Sequence, residues 1–215
     1  MLEKMDAFFE ARLNGYEAHM LSNIEGAEEF YPFTAAQLPD RPEAAVLDLG
    51  CGTGLELRWY YRRNPTARVT GIDLSEKMLA VLAQHYGEKA PTLIRGSYFE
   101  VPLGEGVFDA AVSVESLHHF TKEEKIGLYE KLRNSLRFGG YFILTDYFAA
   151  SDAQEQQFRA ELEAWKIAQG VQGLYHFDTP LTVQHEQEAL LAAGFSRVEI
   201  LGAWGATCCL KAVTE

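Results

Sequence analysis

Apolar positions along the chain switch between short continuous runs of strand length and the three-and-four spacing of helices, and the switches fall at glycines, prolines and polar caps. Residues 1–40 show helical spacing at Phe8, Phe9, Leu13, Tyr16, Met20 and Leu21, punctuated by Gly15, Gly26, Pro32 and Pro39. This predicts a leading helical cap. After Asp40-Arg41-Pro42-Glu43, strands and helices alternate. The run 46–49 breaks into glycines at 50, 52 and 54, and Leu55, Leu57, Trp59 and Tyr61 keep helical spacing until Asn64-Pro65. Residues 68–73 read as a second strand, after which Ser75 caps a helix carrying Met78, Leu79, Leu82 and Tyr86, closed by Gly87.

A third strand at 92–95 leads into Gly96-Ser97-Tyr98-Phe99, and the connection through Gly104 and Gly106 leaves little room for a helix. The fourth strand, 108–114, opens into Glu115-Ser116-Leu117-His118-His119-Phe120. Thr121 and Glu124 then stand at capping-box spacing before a helix with Ile126, Tyr129, Leu132 and Leu136, which is expected to stop at Gly139-Gly140. A fifth strand, 141–146, precedes an amphipathic helix at 151–169 with Phe158, Leu162 and Trp165 on one side. Its acids Asp152, Glu155, Glu161 and Glu163 read as a solvated face. Following the loop 170–180, Thr182 opens a last helix ending at Gly194, and strands at 197–201 and 206–213 finish the chain. The pattern describes one α/β domain over 1–215, mostly parallel with an antiparallel end strand, capped by 1–40 and an insertion at 147–181.

Composition narrows the ligands. The chain has 215 residues, 47% hydrophobic, enough for one sizeable core. Acids outnumber bases 31 to 19, so a nucleic-acid backbone would be repelled and small molecules are the expected partners. The stretch Met1-Leu2-Glu3-Lys4-Met5-Asp6 lacks a signal-peptide profile, and no run reaches membrane-span length, so a cytosolic protein is expected. Cys51, Cys208 and Cys209 show no metal spacing and read as reduced, with Cys51 a small filler in the glycine turn.

Strand, glycine turn and helix together make the first half of a Rossmann-like nucleotide site. A dinucleotide fingerprint would place a third glycine at 55 or 57, where leucines stand. What stands here, Asp48-x-Gly50-x-Gly52-x-Gly54, resembles the first motif of the class I S-adenosylmethionine-dependent methyltransferases. Asp73, 19 residues past Gly54, ends the second strand where a carboxylate can accept hydrogen bonds from both ribose hydroxyls. The loop 113–120 and the passage Leu190-Leu191-Ala192-Ala193-Gly194-Phe195 are similar to those of small-molecule members.

The resemblance implies a doubly wound, seven-stranded, mostly parallel sheet of order 3-2-1-4-5-7-6 with one antiparallel strand and a helical cap. It implies S-adenosylmethionine as cofactor and S-adenosylhomocysteine as product. The cofactor would be bound by Asp48, Gly50, Cys51, Gly52, Gly54, Asp73, Leu74, Met78, Ser97, Tyr98 and Glu115, with Tyr16, beside Glu17, closing over it. Ser97 departs from the acid frequent in the family at the adenine contact. His118 and His119, on the loop facing the ligand crevice, are candidate bases, and equally candidates for merely shaping that loop. Tyr147, His176 and Asp178 lie where acceptor contacts belong, or are simply solvated. Segments typical of adenine- and cytosine-modifying enzymes are missing. Glu115 and Asp146 lack an evident third ligand, so no catalytic metal is expected. The expected activity is methyl transfer to an oxygen, nitrogen or carbon of a small metabolite. The alternatives are a non-catalytic sensor of the cofactor and an enzyme that modifies the cofactor itself. Monomer and homodimer are both compatible with this reading.

Overall fold

The computed structural model describes residues 3–172 and 175–215, apart from the side chains of Asp6 and Phe9. The packing expected of Phe9 therefore lies outside the described residues. Strands β1 (Ala45–Leu49), β2 (Arg68–Asp73), β3 (Thr92–Arg95), β4 (Phe108–Val114), β5 (Leu136–Tyr147), β6 (Arg197–Trp204) and β7 (Thr207–Val213) form one sheet in the order β3-β2-β1-β4-β5-β7-β6. Only β7 runs antiparallel to its neighbours. The expected order and hand of pairing are those observed.

The central strands are apolar on both faces because both are covered. On one face Leu47, Leu49, Ala111, Phe142 and Leu144 pack with residues of α6 (Lys122–Ser135) and α8 (Val183–Ala192). On the other, Val46, Val112 and Ile143 meet α3 (Ala27–Gln37), α4 (Leu57–Arg63) and α5 (Glu76–Tyr86). Two short helices, α1 (Met5–Arg12) and α2 (Tyr16–Asn23), lead the chain, and α7 (Asp152–Gln169) is inserted after β5. The sheet's strand order reverses between β1 and β4, so their carboxyl ends open a crevice where an α/β sheet takes its ligand.

Three local expectations change. The helix after Thr121 ends at Ser135 rather than at Gly139-Gly140, because Leu136 turns extended, buries itself and pairs with Phe108. Arg137 then reaches Asp109 at 2.6 Å, and both glycines fall inside β5. Pro32 lies inside α3 instead of ending a helix. The ring removes only the bond to the Glu28 carbonyl, on an exposed residue one turn from the helix start, while Phe30, Tyr31 and Thr34 are buried. Glu155 is buried, not solvated. Its carboxylate accepts the Thr182 amide at 2.8 Å and pairs with His185 and Arg159, which fastens α7 to the start of α8.

A charged pair sits in the core between α6 and α8. Lys125 and Glu186 are both almost wholly buried, and the Tyr129 hydroxyl donates to the same carboxylate. Removing one partner leaves a lone buried charge, whereas replacing both with apolar groups does not. Lys125→Ala should lower the urea unfolding free energy by about 3–5 kcal/mol. The double variant Lys125→Met/Glu186→Leu should lose clearly less than Lys125→Ala.

Candidate functional site

The crevice begins with a backbone that has no room for side chains. The Gly50 and Cys51 amides donate to the Ile72 carbonyl at 2.8 and 3.2 Å, which ties the turn after β1 to β2. Gly50 has φ +71°, and a Cβ there would stand 2.0 Å from Ser116 Oγ. Gly52 has φ +49°, and a Cβ on it would find only the Tyr16 hydroxyl, at 4.0 Å. One glycine therefore lets two loops touch, and the other keeps a face open to a ligand. Asp73 accepts the Gly52 amide at 2.9 Å on one oxygen and the Ser75 amide at 2.8 Å on the other. A carboxylate oxygen has two acceptor sites, so both keep capacity for a pair of neighbouring hydroxyls.

Gly50, Gly52, Asp73, Leu74 and Met78 line the crevice together with Tyr98, Glu115 and Tyr16. Four residues expected at the cofactor stand behind this surface. Cys51 fills the space left by Gly71, whose Cβ would meet its sulfur at 2.7 Å, and burial pushes its thiol up. Gly54 packs against Leu57, Tyr86 and Leu82. The Ser97 hydroxyl accepts the Phe99 amide at 3.3 Å and holds its own loop. Asp48 lies under the turn, facing Glu56. Met5, Ser75, Ser116 and Phe120 line the crevice without having been expected. Ser116 and Phe120 belong to the loop that the crevice rule already pointed at, whereas nothing local marks Met5.

The glycine face and the open lone pairs of Asp73 fit an adenosyl ribose and the chain attached to it. The free space there is only about 60 Å³. Ligand cavities ordinarily run roughly 300–1,000 Å³. Met5 and Tyr16 reach in from α1 and α2 and narrow this space. Surface pairs, Glu10 with Lys77 at 3.2 Å and Glu17 with His85 at 3.5 Å, link these helices to α5, while Met20 buries α2 in the core.

Beneath the turn, Asp48 and Glu56 are buried together. Burial and the Glu56 charge raise the Asp48 pKa well above the carboxylate range, and burial raises that of Glu56 despite its bond to Asp48. The pair holds a proton where free carboxyls would not.

A second cavity of about 830 Å³ opens beside the crevice. Tyr16, Glu115 and His119 line both. The loop after β4 starts at Glu115, with φ +50°, and is anchored by Asp146 at the end of β5. Asp146 accepts the Leu117 amide at 2.9 Å, and its other oxygen lies 2.6 Å from His118 Nδ1. Tyr147, His176 and Asp178 line this cavity, as do His118 and His119. Asp178 Oδ1 lies 3.3 Å from His119 Nδ1 and 3.5 Å from His118 Nε2.

The two histidines expected as bases have unlike surroundings. Burial disfavours a charged His118, but Asp146 and Asp178 outweigh it and raise its pKa well above the ordinary value, so it carries its proton at neutral pH. Burial and the His118 charge push His119 down to about 3. Glu115 is raised by burial and by Asp146 to about 7. The expectation of no metal rested on a missing third ligand. His118 stands beside Glu115 and Asp146, and each of the three offers a ligand atom within 4.8 Å of the others. His118, His119 and Asp178 do the same.

A Rossmann-like sheet with a glycine turn and a ribose-ready acid at its crevice defines a nucleoside-cofactor protein. The methyltransferase-domain family matches residues 46–140. A carboxy-S-adenosyl-L-methionine synthase of Pseudomonas aeruginosa (strain UCBPP-PA14) is 30% identical over 179 residues, covering 74% of this chain and 72% of the relative. The crystal structure of a putative O-methyltransferase from Nostoc punctiforme superposes with a TM-score of 0.68 at 22% identity, over 92% of this chain and 58% of that one. That of a methyltransferase from Mesorhizobium loti gives 0.63 at 22% identity, over 85% and 96%. The chain belongs to the class I S-adenosylmethionine-dependent methyltransferases. It is an S-adenosylmethionine-dependent enzyme of that family. Among the described residues no helix is long and apolar enough to cross a membrane.

A carboxyl whose pKa is raised on folding makes the protein lose stability as pH rises from the unfolded value through the folded one. Glu56→Gln removes one such group. Its melting temperature should fall less than that of the parent between pH 5 and pH 8, as read by calorimetry at both ends.

Proposed function

We propose that the enzyme methylates an oxygen, nitrogen or carbon atom of a small molecule held in the 830 Å³ cavity. The observation that carries this reading is the seam, where Tyr16, Glu115 and His119 face both the cofactor crevice and the larger cavity. When bound, S-adenosylmethionine supplies a methyl group on a sulfonium whose sulfur departs with the bonding pair. The residues of the chain must then align a nucleophile opposite that sulfur and keep water out.

Asp73 and the glycine turn hold the nucleoside. His118, fixed at Nδ1 by Asp146, turns Nε2 toward Asp178 and positions the acceptor from the cavity side. Glu115, in the path between the two spaces, takes the proton that a hydroxyl or ammonium acceptor must lose. The walls suit a compound of mixed character, since Phe8, Trp204 and Tyr147 supply apolar rings and Asp178 and Glu25 supply carboxylates.

A second reading, in which the cofactor itself is the molecule modified, is favoured by the 30% identity to a carboxy-S-adenosyl-L-methionine synthase. Incubation with tritiated-methyl cofactor and pooled metabolites separates the two. Label on a new compound supports methyl transfer, whereas a cofactor of changed mass with no labelled acceptor supports the other. Once an acceptor is found, Glu115→Gln and His118→Ala should lower kcat by on the order of 10²–10⁴-fold with little change in cofactor affinity. Asp73→Asn should weaken cofactor binding by about ten- to a hundredfold instead. Equal loss of cofactor affinity in all three variants would contradict the division of labour.

A further inference from the structure

Of the imidazoles gathered on Asp178, methyl transfer by alignment uses only His118, as the group that positions the acceptor. His118 Nε2, His119 Nδ1 and His176 Nε2 stand 3.5, 3.3 and 4.0 Å from the same oxygen, Oδ1. Every ion-pair partner that Asp178 has among the described residues is an imidazole. Charge-assisted hydrogen bonds to a carboxylate run about 2.7–2.9 Å, shorter than all three separations. A tetrahedral divalent ion with bonds of roughly 2.0–2.2 Å keeps its ligand atoms roughly 3.3–3.6 Å apart, which the two closer separations match. One ligand atom each of His118, His119 and Asp178 lies within 4.8 Å of the others.

The supports behind these side chains are those of a metal site. The Nδ1 of His118 is engaged by the buried Asp146 at 2.6 Å, the carboxylate–histidine arrangement that orients a ligating imidazole, and a cation at Nε2 would displace the proton that His118 otherwise carries. The Thr179 amide donates to the His118 carbonyl at 2.9 Å, which locks the Asp178 loop to the loop after β4. Phe8 stacks on the His176 ring at 3.4 Å. His119 Nδ1 is also 3.2 Å from the Phe177 carbonyl, so it exchanges that contact for the cation on binding.

We propose that His118, His119 and Asp178, with His176 at their edge, bind a divalent transition-metal cation of the zinc class on the wall of the acceptor cavity. An imidazole-rich set selects Zn²⁺, Co²⁺ or Fe²⁺ over Mg²⁺ and Ca²⁺. The site rests on the methyl-transfer reading only for its use. A cation there takes an acceptor heteroatom or water as its remaining ligand, beside His119, which also lines the cofactor crevice. The acceptor class is then a molecule whose nucleophilic oxygen, nitrogen or sulfur ligates such a metal, and His118 positions it through the cation.

The test is calorimetric titration of the chelator-treated full chain with Zn²⁺, Co²⁺ and Mg²⁺, with the visible absorption of the Co²⁺ form as a second readout. The expected result is one equivalent of Zn²⁺ or Co²⁺, an intense tetrahedral Co²⁺ band and no Mg²⁺ binding. Asp178→Asn and His119→Ala should weaken Zn²⁺ at least about 100-fold, while His85→Ala leaves it unchanged. Circular dichroism confirms folding of each variant, and the half-exposed, isosteric Asp178→Asn is the one least able to unfold the chain. Absence of saturable binding, or binding that survives Asp178→Asn, overturns the metal site. S-adenosylhomocysteine binding, titrated in the same samples, reports on the methyltransferase reading separately, because Asp178 does not line the cofactor crevice.

Discussion

The hydrogen bond from the Gly52 amide to Asp73 joins the two chain reversals that make the cofactor crevice. It requires a left-handed backbone at Gly50 and Gly52, a small residue at 51 and no side chain at 71, since Cys51 occupies that space. Gly50 also lets the loop after β4 approach until Ser116 lies against the turn. The position of Glu115, His118 and His119 is therefore set, one step removed, by the same glycines. A side chain at Gly50 would push apart the two halves of the site.

Around that constraint lie two spaces. The crevice is tight, with Asp73 on the glycine turn and Glu115 and His119 at its seam, whereas the larger cavity gathers further imidazoles and carboxylates that shift one another's charge. Asp146 is held below its ordinary range despite its burial because the charged His118 ring lies against it. Asp178 is likewise well below its ordinary value, with burial overcome by the histidines it faces.

Most of the sheet was legible from period and punctuation. The ranges 68–73, 92–95 and 108–114 read from the apolar runs are those of β2, β3 and β4, and the caps at Ser75 and Thr121 accept the expected amides. Errors arose where tertiary burial overrode local preference: Leu136 leaves a helical pattern to fill the bottom of the sheet, and Glu155 leaves a solvated face to hold the start of α8. For the site, glycine spacing and Asp73 identified the cofactor side because backbone constraint leaves its mark on residue type. The convergence of His118, His119, His176 and Asp178 spans 60 residues of sequence and a loop without period, so only the folded chain brings it into view. The gathering of Glu115, Asp146 and His118 escaped for the same reason.

The central claim is that one crevice holds the cofactor with its sulfur toward a separate acceptor cavity. A crystal structure of the full chain with S-adenosylhomocysteine tests it directly. The ribose hydroxyls should lie on Asp73, and the sulfur should face the seam of Tyr16, Glu115 and His119. A cofactor seated away from Asp73, or one whose sulfur faces the glycine turn with no path to the larger cavity, would contradict the account.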